Sequence, residues 1–255
     1  MTWIPPFRWA SKARVRVEIA VQDAAGAAIA YNAGAVRVEV CVGLPLGGLT
    51  PSIGLIRQLR ATVPELPLQI LIRPRPGGFR YSPRELNLMA DDISAAAAEG
   101  VAGVVVGVLT EAGTVDADAI RDLRQVAPEL DYTFHRAIDH TPAPLGSLDI
   151  IADAGFVRVL TSGGAPTVGQ GLATLRAMAA AGSGLTILAG GGVVPDDLPQ
   201  LAAASITEVH LSAKTTHHPS GAGVPLGVAD TEGNSYQVTD PQLVTAVIQQ
   251  ANLLG

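Results

Sequence analysis

Tyr31–Val40 reads YNAGAVRVEV: an alanine-bearing stretch, a glycine, then a run in which valines alternate with charged residues. Ten residues thus hold the end of a helix, a stop and a strand. Glycine reaches the left-handed backbone conformation that ends many helices, and Gly34 stands where this helix must stop. The same succession recurs as AAEGVAGVVVG at 97–107 and ADAGFVRVL at 152–160, with Gly100 and Gly155 at the stops, and as LAAASITEVHL at 201–211 without a glycine. A chain that repeats this unit builds parallel strands joined by helices. Strands are expected at about 15–20, 36–41, 68–73, 103–108, 131–136, 157–161, 185–190 and 207–212. With a last helix near 240–252, eight strands alternate with eight helices, which specifies an α/β fold, a single (β/α)8 TIM barrel. The alternative, an open doubly wound sheet, is weakened by the lack of an early GxGxxG turn.

Bulk composition agrees with one soluble domain. Of 255 residues, 48% are hydrophobic and only 16% charged, which calls for much buried surface. Residues 15–255 are read as the barrel domain, preceded by an extension at 1–14 whose Trp3, Phe7 and Trp9 are expected to pack on its body. The longest apolar stretch, Val101 to Leu109, is too short to span a bilayer, and the first residues lack the apolar core of a secretory signal. A net charge of −6 disfavours nucleic acid and anionic membranes as partners. One cysteine, Cys41, excludes an internal disulfide and fits a reducing compartment, so a cytoplasmic location is expected.

Strand side chains alternate between faces, so parity sorts them. If the valines of strands one and two pack against helices, Arg16, Glu18, Arg37, Glu39 and Cys41 point into the barrel. Gln69, Leu71 and Arg73 follow from strand three, Thr133 and His135 from strand five, and Glu208, His210 and Ser212 from strand eight. Arg16 and Arg37, near strand starts, are assigned to charge pairing. A TIM barrel builds its active site at the carboxyl ends of its strands. There the candidates are Cys41, Arg73, Arg75, His135, Arg136, Asp139, Ser162, His210 and Ser212, with Glu18 and Glu39 one layer below. TFHRAID, Thr133 to Asp139, is the densest of these clusters.

Two glycine-rich turns add backbone N–H groups at the same end. Ser162, Gly163 and Gly164 in LTSGGAP, and Gly191 and Gly192 in AGGGV, are candidates to hold a phosphate or carboxylate. In GGLTPS, Thr50 is expected to cap a helix that Pro51 begins. Lys214 to Asp240 reads as a long structureless loop over the mouth, a candidate lid, with His217 and His218 solvated.

Seven segments occur in an order that resembles the copper homeostasis protein CutC family: RVEVC (37–41), GGLTPS (47–52), IRPRPGGFRYS (72–82), TFHRAID (133–139), RVLTSGG (158–164), AGGGV (189–193) and EVH (208–210). The resemblance implies a cytoplasmic TIM barrel, a homodimer, and copper handling with Cu(I) as ligand. Members often carry a cysteine beside the glutamate of the first strand, whereas Glu18 is followed here by Ile19, Ala20 and Val21. Cys41 is then the one candidate thiolate. THHPSGAGVP after strand eight also departs from the family, which is more basic and aromatic there.

The residues themselves suggest a rival. Cu(I) favours soft sulfur ligands, yet the expected pocket holds one thiol among carboxylates, guanidiniums and imidazoles. Glu18 or Glu39 could take a proton, His135 or His210 could act as general acid or base, and Arg73 and Arg136 could clamp an anion. His135, with Arg136 and Asp139 close behind it and Glu18 or Glu39 as inner partner, is the preferred acid/base group. Two readings stay open: a CutC-type copper protein, and a metal-independent lyase, isomerase or hydrolase acting on a small sugar-like or phosphorylated metabolite. No organic cofactor is indicated.

Overall fold

The computed structural model describes residues 15–220 and 235–254. Trp3, Phe7 and Trp9 lie outside the described residues. Strands β1 (Arg16–Val21), β2 (Arg37–Val40), β3 (Leu68–Leu71), β4 (Gly103–Val106), β5 (Asp131–Phe134), β6 (Arg158–Thr161), β7 (Thr186–Gly190) and β8 (Glu208–Leu211) form a closed barrel in chain order. Every neighbouring pair is parallel, and β8 closes on β1 with Glu18 between Arg37 and His210. The chain is a (β/α)8 barrel.

The helices are α1 (Ala24–Ala33), α2 (Ile53–Thr62), α3 (Pro83–Ala98), α4 (Ala117–Val126), α5 (Pro144–Asp153), α6 (Leu172–Ala180), α7 (Leu198–Ala203) and α8 (Pro241–Leu253). The stops behave as their residue type requires: φ is +99° at Gly34, +69° at Gly100 and +82° at Gly155, and Ser205 takes the same role at +64°. Beneath the helices Ile19, Val38, Ile70, Val104, Phe134 and Val209 are fully buried. Each such side chain contributes roughly 1.5–3 kcal/mol.

The barrel interior is layered by charge and then by apolarity. Low in the barrel, Arg37 bridges Glu18 and Glu208, and Arg16 joins the chain at Glu208. Arg158 reaches Asp131 at 3.0 Å and Thr133 at 3.2 Å. Higher up, Cys41, Leu71 and Val105 form a small apolar cluster apart from the main core.

Two expectations require correction. The helix after GGLTPS is capped by Ser52, whose Oγ accepts from Leu55 N, so Pro51 precedes the helix; Thr50 instead accepts from the Arg73 N–H at 2.9 Å. Lys214 to Asp240 is not structureless at its ends, because β9 (Lys214–His217) and β10 (Tyr236–Thr239) pair as an antiparallel ribbon. The ribbon packs His217 on Tyr236, with ring centroids 5.1 Å apart. The span 221–234, the expected lid tip, lies outside the described residues. Among the described residues no helix is long and apolar enough to cross a membrane.

Candidate active site

A cavity of about 510 Å³ opens at the carboxyl ends of the strands. Glu39, Arg73, His135, Arg136, His210 and Ser212 all contribute to its lining, as do Gly191 and Gly192. Glu18 lies one layer below. Its Oε1 is 2.7 Å from His210 Nδ1, and its other oxygen is held by Arg37. Burial alone would raise the Glu18 carboxyl, but Arg37 and His210 outweigh it and hold its pKa at about 2. A carboxylate ionised at every ordinary pH therefore faces His210. Burial works against charge on the imidazole, yet Glu39 and Glu18 prevail and raise its pKa.

Glu39 is the contrasting carboxyl. It is 5% exposed and its Oε2 finds no hydrogen-bond partner among the described residues. Burial, helped by the Glu18 charge and opposed by His210 and Arg37, pushes its pKa up to about 7. Two carboxyls a layer apart are thus driven in opposite directions, one permanently charged and one poised to exchange a proton near neutrality.

His135 sits across the barrel and pairs with neither glutamate. Its Nδ1 accepts from the Ala137 N–H at 3.2 Å, while its Nε2 is buried without a partner among the described residues. Burial, with the Arg73 charge added, lowers its pKa to about 3. Arg136 and Asp139, expected to tune it, bind each other at 2.8 Å. Arg73 donates through Nη1 to the carbonyls of Leu46 and Gly48 and through Nη2 to that of Gly77, its guanidinium also acting on the Tyr81 hydroxyl, and its Nε is buried without a hydrogen-bond partner among the described residues.

The glycine-rich turn after β6 already holds an anion, and it is Asp139. That carboxylate accepts from the Thr161 hydroxyl, from Ser162 N at 3.1 Å, from Ser162 Oγ at 3.0 Å and from Gly164 N at 3.0 Å. Burial would raise its pKa, but Thr161 and Arg136 lead the contacts that lower it. Gly163, with its N–H on Thr161 Oγ1, and Gly164 therefore do not line the cavity. Nor does Arg75, which pairs with Glu85 and donates to the carbonyls of Gly78 and Arg80, fastening its own loop to α3.

A profile described as the CutC family matches residues 15–215. The chain belongs to the CutC family. It is 38% identical over 240 residues to a CutC family protein of Photobacterium profundum, covering 92% of this chain and 98% of that protein. It is 41% identical over 239 residues to a CutC family protein of Yersinia enterocolitica, covering 91% and 94% respectively. Among solved structures it resembles a CutC of Streptococcus agalactiae, described as a copper homeostasis protein, with a TM-score of 0.74 at 27% identity; the match covers 78% of this chain and 98% of that one.

Membership in the CutC family raises the question of Cu(I), and the donors present do not suit it. Glu18, Glu39 and His210 offer ligand atoms within 4.8 Å of one another, but these are oxygens and a nitrogen. Two of the three are already bound to each other, and Arg37 sits on Glu18. Cys41 is fully buried against Leu71 and Val105. Burial and the nearby Glu39 charge push its thiol far up, so the thiolate that binds copper is suppressed. Enclosed inside the barrel, its sulfur also cannot meet a second Cys41 across a dimer contact.

Sequence reasoning missed Phe79. Its ring lies 4.8 Å from that of His135 and 5.4 Å from the Arg73 guanidinium carbon, roofing both. An aromatic directly after Gly77 and Gly78 at a strand exit was the available signal. His140, also on the cavity wall, packs edge-on to Phe79 at 5.2 Å.

Proposed function

We propose that the cavity is the active site of a metal-independent enzyme that transfers a proton on a small, oxygen-rich metabolite in a lyase, isomerase or hydrolase reaction. The observation that carries this reading is the buried Glu39 oxygen, without a hydrogen-bond partner among the described residues, beside the Glu18–His210 pair. With a pKa of about 7, Glu39 is matched to accept a proton at neutral pH and return it. His210, whose proton Glu39 and Glu18 both favour, supplies the complementary acid. The cavity volume is within the range of small-molecule sites, and the exposed Lys214 with Arg136 gives its rim positive charge for an anionic end. Copper binding, a homodimer and a cytoplasmic location are what the family suggests; of these, Cu(I) has the least support from the donors.

Two measurements test the proposal. Chelator-treated protein is incubated with a set of sugars, sugar phosphates and oxo acids, and turnover is followed by NMR; Glu39→Gln should lower it roughly 10²–10⁴-fold. In parallel, anaerobic competition with a Cu(I) chelator should show no stoichiometric, Cys41-dependent site. Tight Cu(I) lost in Cys41→Ser, with no turnover of any compound, would reverse the assignment in favour of copper.

A further inference from the structure

Three buried polar atoms belonging to cavity-lining residues lack partners among the described residues: Glu39 Oε2, Arg73 Nε and His135 Nε2. Their side chains are each at least nine-tenths buried, with residue exposures of 5%, 6% and 4%. Seven such atoms occur among the described residues, and three of them gather around this one cavity, which points to a ligand that completes them.

Their chemistry narrows that ligand. Because Ala137 N–H donates to Nδ1 of His135, the ring hydrogen must sit on Nε2, which is therefore a neutral donor. Arg73 Nε is also a donor, since every nitrogen of guanidinium is. Two N–H groups lie under one aromatic roof, Phe79, and a carboxylate stands apart from them on β2. A single oxygen with two lone pairs satisfies both donors, and a proton on the adjacent atom satisfies the carboxylate. A phosphoryl group does not match the two donors, because it needs more donors than two; a phosphate carried elsewhere on the substrate would lie at the Lys214–Arg136 rim.

We propose, resting on the acid/base reading above, that the substrate is a small carbonyl compound whose carbonyl oxygen is received by His135 Nε2–H and Arg73 Nε–H while Glu39 takes the proton from the carbon beside it. The C–H electron pair becomes the new C=C bond, and the C=O π pair moves onto the oxygen, giving an enolate held by the two donors. Glu39 becomes the neutral acid and hands its proton back to the enolate or to a leaving group. The low pKa of His135 keeps its ring a donor throughout. Phe79, 4.8 Å from the His135 ring and 5.4 Å from the Arg73 guanidinium carbon, shields the oxygen from water.

The test uses the full chain in D2O with pyruvate, dihydroxyacetone and dihydroxyacetone phosphate, following loss of the C–H signal by NMR. Oxalate, a planar enolate mimic, serves as a binding probe by calorimetry. His135→Asn keeps an acceptor where Nδ1 lies and loses the donor at Nε2; His135→Gln keeps a donor near Nε2. The expected result is exchange by the wild type, a fall of roughly 10²–10³-fold in exchange and loss of oxalate binding in His135→Asn at unchanged melting temperature, and partial recovery in His135→Gln. Exchange with none of the three compounds, or equal exchange by wild type and His135→Asn, overturns the inference. Glu39-dependent turnover of a compound without a carbonyl would sink this inference alone, whereas full exchange by Glu39→Gln would sink the acid/base reading with it.

Discussion

Glu39 and His135 hold opposite bargains with burial, and each leaves a signature in stability. The folded pKa of Glu39, about 7, lies above the 4.5 of an unperturbed glutamate, so folding favours its protonated form. Its ionisation therefore weakens the fold as pH rises from about 4.5 through 7, by up to about 3 kcal/mol. Glu39→Gln should raise the melting temperature at pH 8 by roughly 2–4 °C for each kcal/mol regained, and the advantage should vanish at pH 4. Equal shifts at both pH values would show that Glu39 is not held protonated by burial. For His135 the folded pKa of about 3 lies below the unperturbed 6.5, so the unfolded chain takes up the proton first. Stability present above pH 6.5 is then lost as pH falls toward 3. His135→Asn should flatten the acid limb of a denaturation series between pH 6 and 4. Parity along the strands made both residues legible as inward-facing. What it could not show is which atoms lack partners, because that depends on Ala137, Leu46, Gly48 and Gly77, groups whose positions are set by turns.

The turn after β6 and the short helical turn at Arg136–His140 act as one element, clasped by Asp139. TFHRAID and LTSGG were each legible as motifs, but their meeting was not: Asp139 and Gly164 are 25 positions apart in the chain. An open anion site and one filled by the protein's own carboxylate have the same glycine-rich sequence. Asp139→Ala leaves the N–H groups of Ser162 and Gly164 without their acceptor and leaves Arg136 held, among the described residues, by Ser162 Oγ alone. The expected cost is about 3 kcal/mol, from unsatisfied donors at roughly 1–3 kcal/mol each, together with faster hydrogen exchange at Ser162 and Gly164. Unchanged protection of both amides would show that the clasp does not order the turn. Gly107, at the exit of β4, is a second constraint of this scale. A Cβ there would lie 2.6 Å from His135 Nδ1, so Gly107→Ala should displace the imidazole and abolish oxalate binding while the barrel stays folded.

Across the whole molecule, the charges Arg16, Glu208, Arg37, Glu18 and His210 tie β1, β2 and β8 together at the seam where the barrel closes. Closure was legible from the eightfold repeat, and the inward charges from parity. The ribbon of β9 and β10 was not, since KTTH and YQVT are short polar runs whose pairing spans a long excursion. The seam network carries a defined pH response. Glu18 has a folded pKa of about 2, below the unperturbed 4.5, so its contribution is present above pH 4.5 and lost as pH falls toward 2. Glu18→Ala should cost about 3–5 kcal/mol at pH 7, because Arg37 is left buried with one partner fewer. Arg37→Met with Glu18→Gln should recover part of that loss in urea denaturation; a double variant no better than Glu18→Ala would place the stabilisation elsewhere.

The polarity of the cavity runs one way around the barrel axis. β8, β1 and β2 bring the proton-carrying groups, β3 and β5 bring the donors, and β6 and β7 present Leu160 and the small Gly191–Gly192 turn. A molecule fixed at its oxygen between Arg73 and His135 can show only one of its two faces to Glu39. Of two mirror-related hydrogens on a CH2 group, one alone would be reachable, so the circular order of five strands translates into the handedness of the product.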